Sequence, residues 1–193
     1  MKSKYIITLA TAVGVALLPG CGTNAHYIET GGTQSVVSVG QINSQDFIQA
    51  ANAATSELLA SGVLDKVKTA PAILAMSRIV NNTGEQIDTD LLTKKIRVAL
   101  MQSGKALTTT TYGLGEAEDP LAKGIQDQNN NNQPARLPDF SLSGKIIQLT
   151  ASAGDTHQST FSFQLSLTDR QGLAVWEGEK EITKQGSRAT VGF

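Results

Sequence analysis

Cysteine is nearly absent from this 193-residue chain and occurs once, at position 21. A single cysteine excludes a disulfide within one molecule, a CxxC redox pair and a zinc knuckle. Histidine is almost as scarce, because only His26 and His157 are present and they are far apart in the sequence. A zinc site is therefore not expected, and we predict no metal and no cofactor.

An excess of positive charge is also lacking, since 16 Lys and Arg residues face 17 Asp and Glu residues. Removal of a leader at residues 1–20 would take Lys2 and Lys4 and no acidic residue, which leaves the mature chain more acidic. This balance is not typical of nucleic-acid binding. After the leader there is no further long apolar run, so we expect no membrane-spanning helix.

The first 21 residues have the pattern of a bacterial lipoprotein leader. Two lysines are followed by the apolar stretch Tyr5–Leu18, which is too short to span a bilayer, and by the small residue Gly20 before Cys21. We predict a signal peptide at 1–20, cleavage between Gly20 and Cys21, and lipid on the Cys21 thiol. Each buried methylene of the acyl chains would add about 0.8 kcal/mol of membrane affinity. The alternative is an ordinary secretory leader with an accidental cysteine.

Residues 21–43 are polar and small, and we interpret them as a flexible tether. Gly22, and not an aspartate, follows Cys21, which favours retention at the outer membrane with the domain facing the periplasm. The fully extended tether would reach at most about 75 Å. A flexible chain of this length averages nearer about 25 Å.

Residues 44–185 show the periodicities of one α+β domain, followed by a tail at 186–193. Ser44 is a candidate N-cap for a helix that ends at Gly62. Asp88 or Asp90 is a candidate N-cap for a second helix, which ends at Gly104. The apolar run 72–80 between them predicts a central strand covered on both faces, and the segment 105–111 predicts a short, partly exposed strand. Together these elements suggest a strand-helix-strand crossover unit.

The last third of the chain predicts an antiparallel meander. Phe161, Phe163, Leu165 and Leu167 alternate with polar residues, which is the two-residue period of a strand with one buried face. Turns at 154–155 and 169–172 connect it to strands on both sides. The expected fold is α+β, with a mixed four- to five-stranded sheet and helices packed on it. Residues 113–138 lack periodicity, and we predict a disordered loop there.

The chain offers few candidate catalytic groups. His26 lies in the tether and His157 at a hairpin tip, where both are expected to be solvated. The acidic residues at 116, 118 and 119 lack the spacing and the turn glycine of a calcium loop, and the glycines at 113 and 115 do not form a phosphate-binding loop. We therefore predict no catalytic residue, no small-molecule substrate and no enzymatic activity.

Two polar segments are candidates for contact with a partner protein. Asn81, Asn82 and Thr83 follow the predicted central strand and form either a simple turn or an exposed contact loop. Lys94 and Arg97 lie, with Lys95, on the polar side of the second helix, where they either face solvent or dock an acidic partner.

Several segments together resemble the LpoB-type penicillin-binding protein activator lipoproteins. They are the lipoprotein site at Cys21 and the segments 58–64, 79–83, 91–104, 163–168 and 172–178. The resemblance implies an α+β domain similar to the TolB N-terminal domain, anchored in the outer membrane. It also implies a protein without an active site that binds and stimulates a class A penicillin-binding protein, a peptidoglycan synthase of the inner membrane. The alternative is a structural lipoprotein of an envelope assembly, such as a curli-secretion or flagellar-associated component.

Replacing Cys21 by Ser removes the thiol that would carry the lipid. We expect the Cys21→Ser protein to move from the membrane fraction to the soluble periplasmic fraction, because the predicted mature chain has no other anchor. Fractionation and immunoblotting measure this change. Continued membrane retention of the variant would contradict the lipid anchor.

Overall fold

The computed structural model describes residues 25–30, 32–109 and 137–187. The predictions for Gly20 and Cys21, and those for the segments 113–136 and 188–193, lie outside these residues. The described elements, in chain order, are α1 (Ser44–Ala60), a 3-10 helix (Val63–Lys66), β1 (Ala72–Asn82), α2 (Asp90–Gln102), β2 (Ala106–Thr108), β3 (Phe140–Ala153), β4 (Thr156–Asp169) and β5 (Ala174–Ser187).

The five strands form one mixed sheet in the order β2-β1-β3-β4-β5. β1 pairs in parallel with β2 and with β3, whereas β3, β4 and β5 form an antiparallel meander. The predicted α+β class, the mixed sheet and the meander are thus confirmed. β5 continues to Ser187, two residues into the segment assigned to the tail.

The first helix begins with a capping box that is set one residue earlier than predicted. Asn43, and not Ser44, is the N-cap: its Oδ1 accepts from the backbone N–H groups of Gln45 (2.9 Å) and Asp46 (3.1 Å). Asp46 Oδ2 in turn accepts from the Asn43 N–H at 2.8 Å. Asn and Ser are both good N-caps, so composition alone does not choose between adjacent positions.

The second helix starts after Thr89, which is buried and whose hydroxyl donates to the Ile79 carbonyl at 2.8 Å. Asp88, one of the two predicted caps, instead accepts from the Asp90 N–H at 2.9 Å. The helix ends before Gly104, as predicted, and this glycine has a φ of 72°. A positive φ is adopted by glycine without strain and stops the helix.

The prediction that β1 is covered on both faces is wrong. Ala72, Leu74, Met76 and Ile79 are buried, while the residues between them are half-buried or exposed. Both helices pack on one side of the sheet, so the apolar run of β1 has only one fully covered face. We call the helix-covered side the helix face and the other side the open face.

The core lies between the helices and the helix face of the sheet. From the helices it receives mainly Phe47, Leu58, Leu92, Ile96 and Leu100, and from the strands mainly Leu74, Leu142, Ile146, Phe161 and Leu167. Phe47 meets Phe163 edge to face, with ring centroids 6.2 Å apart. Among the described residues, no helix is both long and apolar enough to cross a membrane.

The packed domain begins before Ser44, because the last part of the predicted tether lies against the sheet. Gln148 Nε2 donates to the Gly40 carbonyl at 3.5 Å, Lys184 Nζ donates to the Gln41 carbonyl at 2.7 Å, and Ile42 packs against the core. The prediction of a flexible segment up to residue 43 is therefore too long at its C-terminal end.

A buried ion pair connects this segment, α1 and β5. Lys184 Nζ lies 2.5 Å from Asp46 Oδ2, and the two side chains are 7% and 5% exposed. The ammonium group also lies 5.7 Å from the centroid of the Phe161 ring. Since both charges are removed from water, each depends on the other for compensation.

Replacing Lys184 by Met would leave the Asp46 carboxylate buried without its counter-ion. We expect Lys184→Met to lower the free energy of unfolding by about 3–5 kcal/mol, measured by urea denaturation. The control is Lys105→Met, which breaks the ion pair between Lys105 and Asp65. The side chains of these two residues are 45% and 56% exposed. The control should cost less than about 1 kcal/mol. Equal losses in the two variants would contradict the role of the buried pair.

Candidate functional site

The open face of the sheet carries most of the polar side chains of the meander. On β4 the residues Ser162, Gln164, Ser166 and Thr168 point to this side, in alternation with the apolar residues of the core. A strand places successive side chains on opposite faces, so this arrangement follows directly from the two-residue pattern in the sequence. The open face is therefore a polar surface that the sheet itself forms.

A groove of about 710 Å³ crosses this face and is called the open-face groove below. Its lining residues come from β1, β3, β4 and β5 and are Arg78, Val80, Asn82, Ser143, Gly144, Lys145, Gln164, Leu165, Ser166, Glu177, Gly178 and Glu179.

Charges of opposite sign lie at opposite sides of this groove. Strand pairing aligns Lys145 on β3, Gln164 on β4 and Glu179 on β5 in one row across the sheet. The next row places Ser143, Ser166 and Glu177 side by side. We call Arg78 and Lys145 the basic wall and Glu177 and Glu179 the acidic wall, with uncharged polar groups between them.

The acidic wall is bound by neutral hydrogen-bond donors from β4. Gln164 Nε2 donates to Glu179 Oε1 at 2.8 Å, and Ser162 Oγ donates to the same oxygen. These two hydrogen bonds, the one from Gln164 first, hold the pKa of Glu179 below its ordinary value, against a small opposing effect of burial. Ser166 Oγ donates to Glu177 Oε1 at 3.3 Å.

Two positions in the groove require glycine, because neighbouring atoms occupy the place that a Cβ atom would take. Gly144, Leu165 and Gly178 form one row across β3, β4 and β5. A Cβ atom on Gly144 would lie 2.5 Å from the Gln164 carbonyl oxygen and from Leu165 Cδ2, and one on Gly178 would lie 2.5 Å from the Trp176 ring. Alanine at either position would displace these neighbours.

The sequence from the first turn of α1 to β5, residues 46–182, matches the family model described as "Peptidoglycan-synthase activator LpoB". The chain belongs to this family. The matched region contains α1 from Asp46 onward, the whole of α2, the whole of β1 to β4 and most of β5, so it includes every residue that lines the open-face groove.

Similar proteins include other members of the LpoB family. The chain is 25% identical over 127 residues to the Penicillin-binding protein activator LpoB of Pantoea ananatis. The aligned region covers 66% of this chain and 64% of that protein. The chain thus spans less than two thirds of the length of this relative. The LpoB C-terminal domain from Escherichia coli is 17% identical with a TM-score of 0.46, covering 71% of this chain and 98% of that one. The PelC dodecamer from Paraburkholderia phytofirmans is 15% identical with a TM-score of 0.34, covering 60% and 75%.

In this LpoB-family domain β1 extends to Asn82, so two of the three residues predicted to follow the central strand belong to its end, where they pair with β3. The side chains of Asn81 and Thr83 are hydrogen bonded within the segment 81–85. Asn81 Oδ1 accepts from the Thr83 N–H at 3.0 Å and from the Thr83 hydroxyl at 2.7 Å, and Asn81 Nδ2 donates to the Glu85 carbonyl at 2.6 Å. Asn81 and Thr83 thus stabilise a turn. Asn82 is exposed and lines the open-face groove.

The two predicted basic residues of α2 lie apart from this groove and from each other. Lys94 lines a second, smaller groove of about 390 Å³ between α1 and α2, here called the helix groove. Arg97 is half-buried against β2, where its Nε donates to Thr108 Oγ1 at 3.3 Å. The five candidate contact residues therefore do not form one site.

The charged walls of the open-face groove are not among the contact residues predicted from the sequence. Lys145 and Glu179 are 34 positions apart, and only the pairing of β3 with β4 and of β4 with β5 brings them together. The alternation of Glu177 and Glu179 with Gly178 and Lys180 is visible in the sequence and indicates one charged strand face. In the part of the chain that the structure describes, no group of three or more His, Cys, Asp or Glu residues is arranged to hold a metal ion.

Replacing Gln164 by Ala removes the main cause of the lowered Glu179 pKa. We expect Gln164→Ala to raise this pKa toward its ordinary value, measured by NMR titration of the side-chain carboxyl carbon. A lowered pKa stabilises the folded state at pH values above the ordinary pKa of the group, and this stabilisation is lost as the pH falls. Because the variant lacks part of this contribution, its free energy of unfolding should decrease slightly less on acidification.

The matched control is Gln158→Ala, on the same strand and face. Its paired neighbours are Ala151 and Gln185, so no carboxylate is affected directly. An unchanged Glu179 pKa in Gln164→Ala, or an equal change in both variants, would contradict the assignment.

Proposed function

We propose that this chain is a lipid-anchored periplasmic regulator that binds and activates a class A penicillin-binding protein, a peptidoglycan synthase. The observation that carries the proposal is the family match over residues 46–182, which covers nearly the whole packed domain. The name of the Pantoea relative, Penicillin-binding protein activator, agrees with it. In this proposal the chain is not an enzyme, needs no cofactor, and binds neither nucleic acid nor a small-molecule substrate of its own.

Activation without catalysis requires a preference for one conformation of the synthase. A regulator that binds the active conformation more tightly shifts the synthase population toward it, and a regulator without such a preference shifts nothing. A tenfold preference corresponds to about 1.4 kcal/mol. A rigid surface of modest size is sufficient for this effect.

The anchor limits where this surface can act. We propose lipid on Cys21 and insertion in the outer membrane. Because Gly40 already contacts the sheet, the free tether runs only from Cys21 to about that residue. Its extended reach is then about 65 Å and its flexible average about 25 Å. The synthase must therefore extend toward the outer membrane for the contact to form.

The helix groove offers the surface with the best features for such a contact. Leu91 and Val98 are large apolar residues that are 42% and 41% exposed, and Lys94 and Lys95 line the same groove. Apolar side chains ringed by charges are common at protein interfaces. We propose that Lys94 helps to dock an acidic surface of the synthase. Arg97 would contact the partner only at the edge of this interface, and Asn81 and Thr83 would act by holding the turn. Asn82 lines the open-face groove on the other side of the sheet and would take no part in this contact.

The mature chain carrying Cys21→Ser should bind its cognate class A synthase in a pulldown and raise its rate of glycan polymerisation or crosslinking. The double variant Leu91→Glu with Lys94→Glu should weaken binding at least about tenfold, because it removes an apolar contact and reverses a charge in the interface. The control is Lys68→Glu, an exposed residue that lines neither groove.

Two results would contradict the proposal. One is failure of the chain to bind any class A synthase of its own organism. The other is a ring-sized oligomer in size-exclusion chromatography, which the alternative function as a structural envelope lipoprotein requires, whereas an activator should elute as a monomer.

A further inference from the structure

We infer that the open-face groove binds a short zwitterionic peptide, with peptide carboxylates at Arg78 and Lys145 and a peptide ammonium group at Glu177 and Glu179. Given the proposed function, on which this choice of ligand rests, the peptide is the stem peptide of peptidoglycan. Stem peptides carry free carboxylates and, at their dibasic residue, a free amine.

The spacing of the two walls suits a peptide of three to four residues. Neighbouring strands lie about 4.8 Å apart, so the backbones of Lys145 on β3 and Glu179 on β5 are separated by about 10 Å, and β1 and β5 by about 14 Å. An extended peptide spans about 3.3–3.6 Å per residue, which gives about 10–14 Å for three to four residues. The groove volume of about 710 Å³ lies within the range of small-ligand sites.

The basic wall is available to a ligand. Lys145 is exposed and makes no ion pair within residues 25–30, 32–109 and 137–187. Arg78 lies 3.7 Å from Asp90, but the two side chains are 71% and 51% exposed. Such an exposed pair is weak and is readily exchanged for a carboxylate that both basic residues can reach.

The acidic wall keeps its net charge although it is hydrogen bonded. Glu179 accepts from Gln164 and Ser162, and Glu177 accepts from Ser166. These donors are neutral, so they fix the positions of the carboxylates without cancelling the negative charge. Oriented carboxylates of this kind are suited to binding an ammonium group.

The middle of the groove suits peptide groups better than sugar or phosphate. Ser143, Gln164 and Asn82 offer hydrogen-bond donors and acceptors of both kinds, which amide bonds require. A phosphate chain would be repelled by the acidic wall, and a neutral glycan would use neither wall. The separation of opposite charges across uncharged polar groups is therefore best matched by a zwitterionic peptide.

Binding can be measured by NMR titration of the mature chain carrying Cys21→Ser with a free stem tetrapeptide. We expect shifts of the backbone amides of Lys145, Gln164 and Glu179. Amidation of the peptide carboxylates, or acetylation of its free amine, should each weaken binding at least about tenfold, because each removes one set of charge-assisted hydrogen bonds. Peptide-free glycan should not bind.

Neutral variants test each wall separately. Arg78→Met with Lys145→Met, and Glu177→Gln with Glu179→Gln, should each lower peptide affinity at least about tenfold. All four residues lie on the surface, and urea denaturation verifies that the variants are folded. Lys68→Met is the matched control and should bind like the unmodified chain.

Several results would overturn the inference. They are no detectable binding at millimolar peptide, wall variants that bind the peptide as tightly as the unmodified chain, blocked peptides that bind as tightly as the free peptide, or peptide-free glycan that binds as tightly as the peptide. Loss of synthase binding in the wall variants, with no peptide binding by the unmodified chain, would assign the groove to the synthase and overturn it as well.

The synthase pulldown separates this inference from the proposed function. Absence of peptide binding in a chain that still binds the synthase contradicts the peptide site alone. Peptide binding by a chain that binds no class A synthase supports the site and contradicts only the proposed function.

Discussion

Lys184 is a charged residue in an apolar core, and its ammonium group joins three parts of the chain that are distant in sequence. It donates to Asp46 in the first turn of α1 and to the carbonyl of Gln41 in the entering segment, while its own strand is the edge of the sheet. Asp46 also closes the capping box with Asn43. The start of the helix, the point where the tether reaches the domain and the position of β5 thus depend on one buried ion pair.

β5 serves both faces of the sheet because side chains of a strand alternate. Lys184 and Ile182 point to the helix face, where the first forms the ion pair and the second packs against the core. Glu177 and Glu179 point to the open face and form the acidic wall. Displacement of β5 by one residue would exchange the two sets and would place carboxylates in the core. The buried pair therefore also fixes the register on which the groove depends.

Local patterns predict the elements of this fold better than its long-range contacts. The alternation from Phe161 to Leu167 and the stop at Gly104 depend on neighbouring residues, and both are confirmed. The prediction that β1 is covered on both faces is wrong because an apolar run does not indicate whether a second layer of structure covers the sheet. Asp46 and Lys184 are 138 positions apart, and the groove walls meet only through strand pairing, so neither could be predicted from spacing.

The two grooves lie on opposite sides of one sheet, and this bears on how binding at one could affect the other. Coupling between sites requires an element with two arrangements that both ligands bias. The sheet between the grooves joins the parallel strands β1 and β3 to the long antiparallel ladders of β3, β4 and β5 over a buried apolar core, which favours a single arrangement. We therefore expect a peptide in the open-face groove and a protein on the helix groove to bind independently. Under the two proposals, the domain would join a synthase to the cell wall by simultaneous contact, without a conformational signal passing through the sheet.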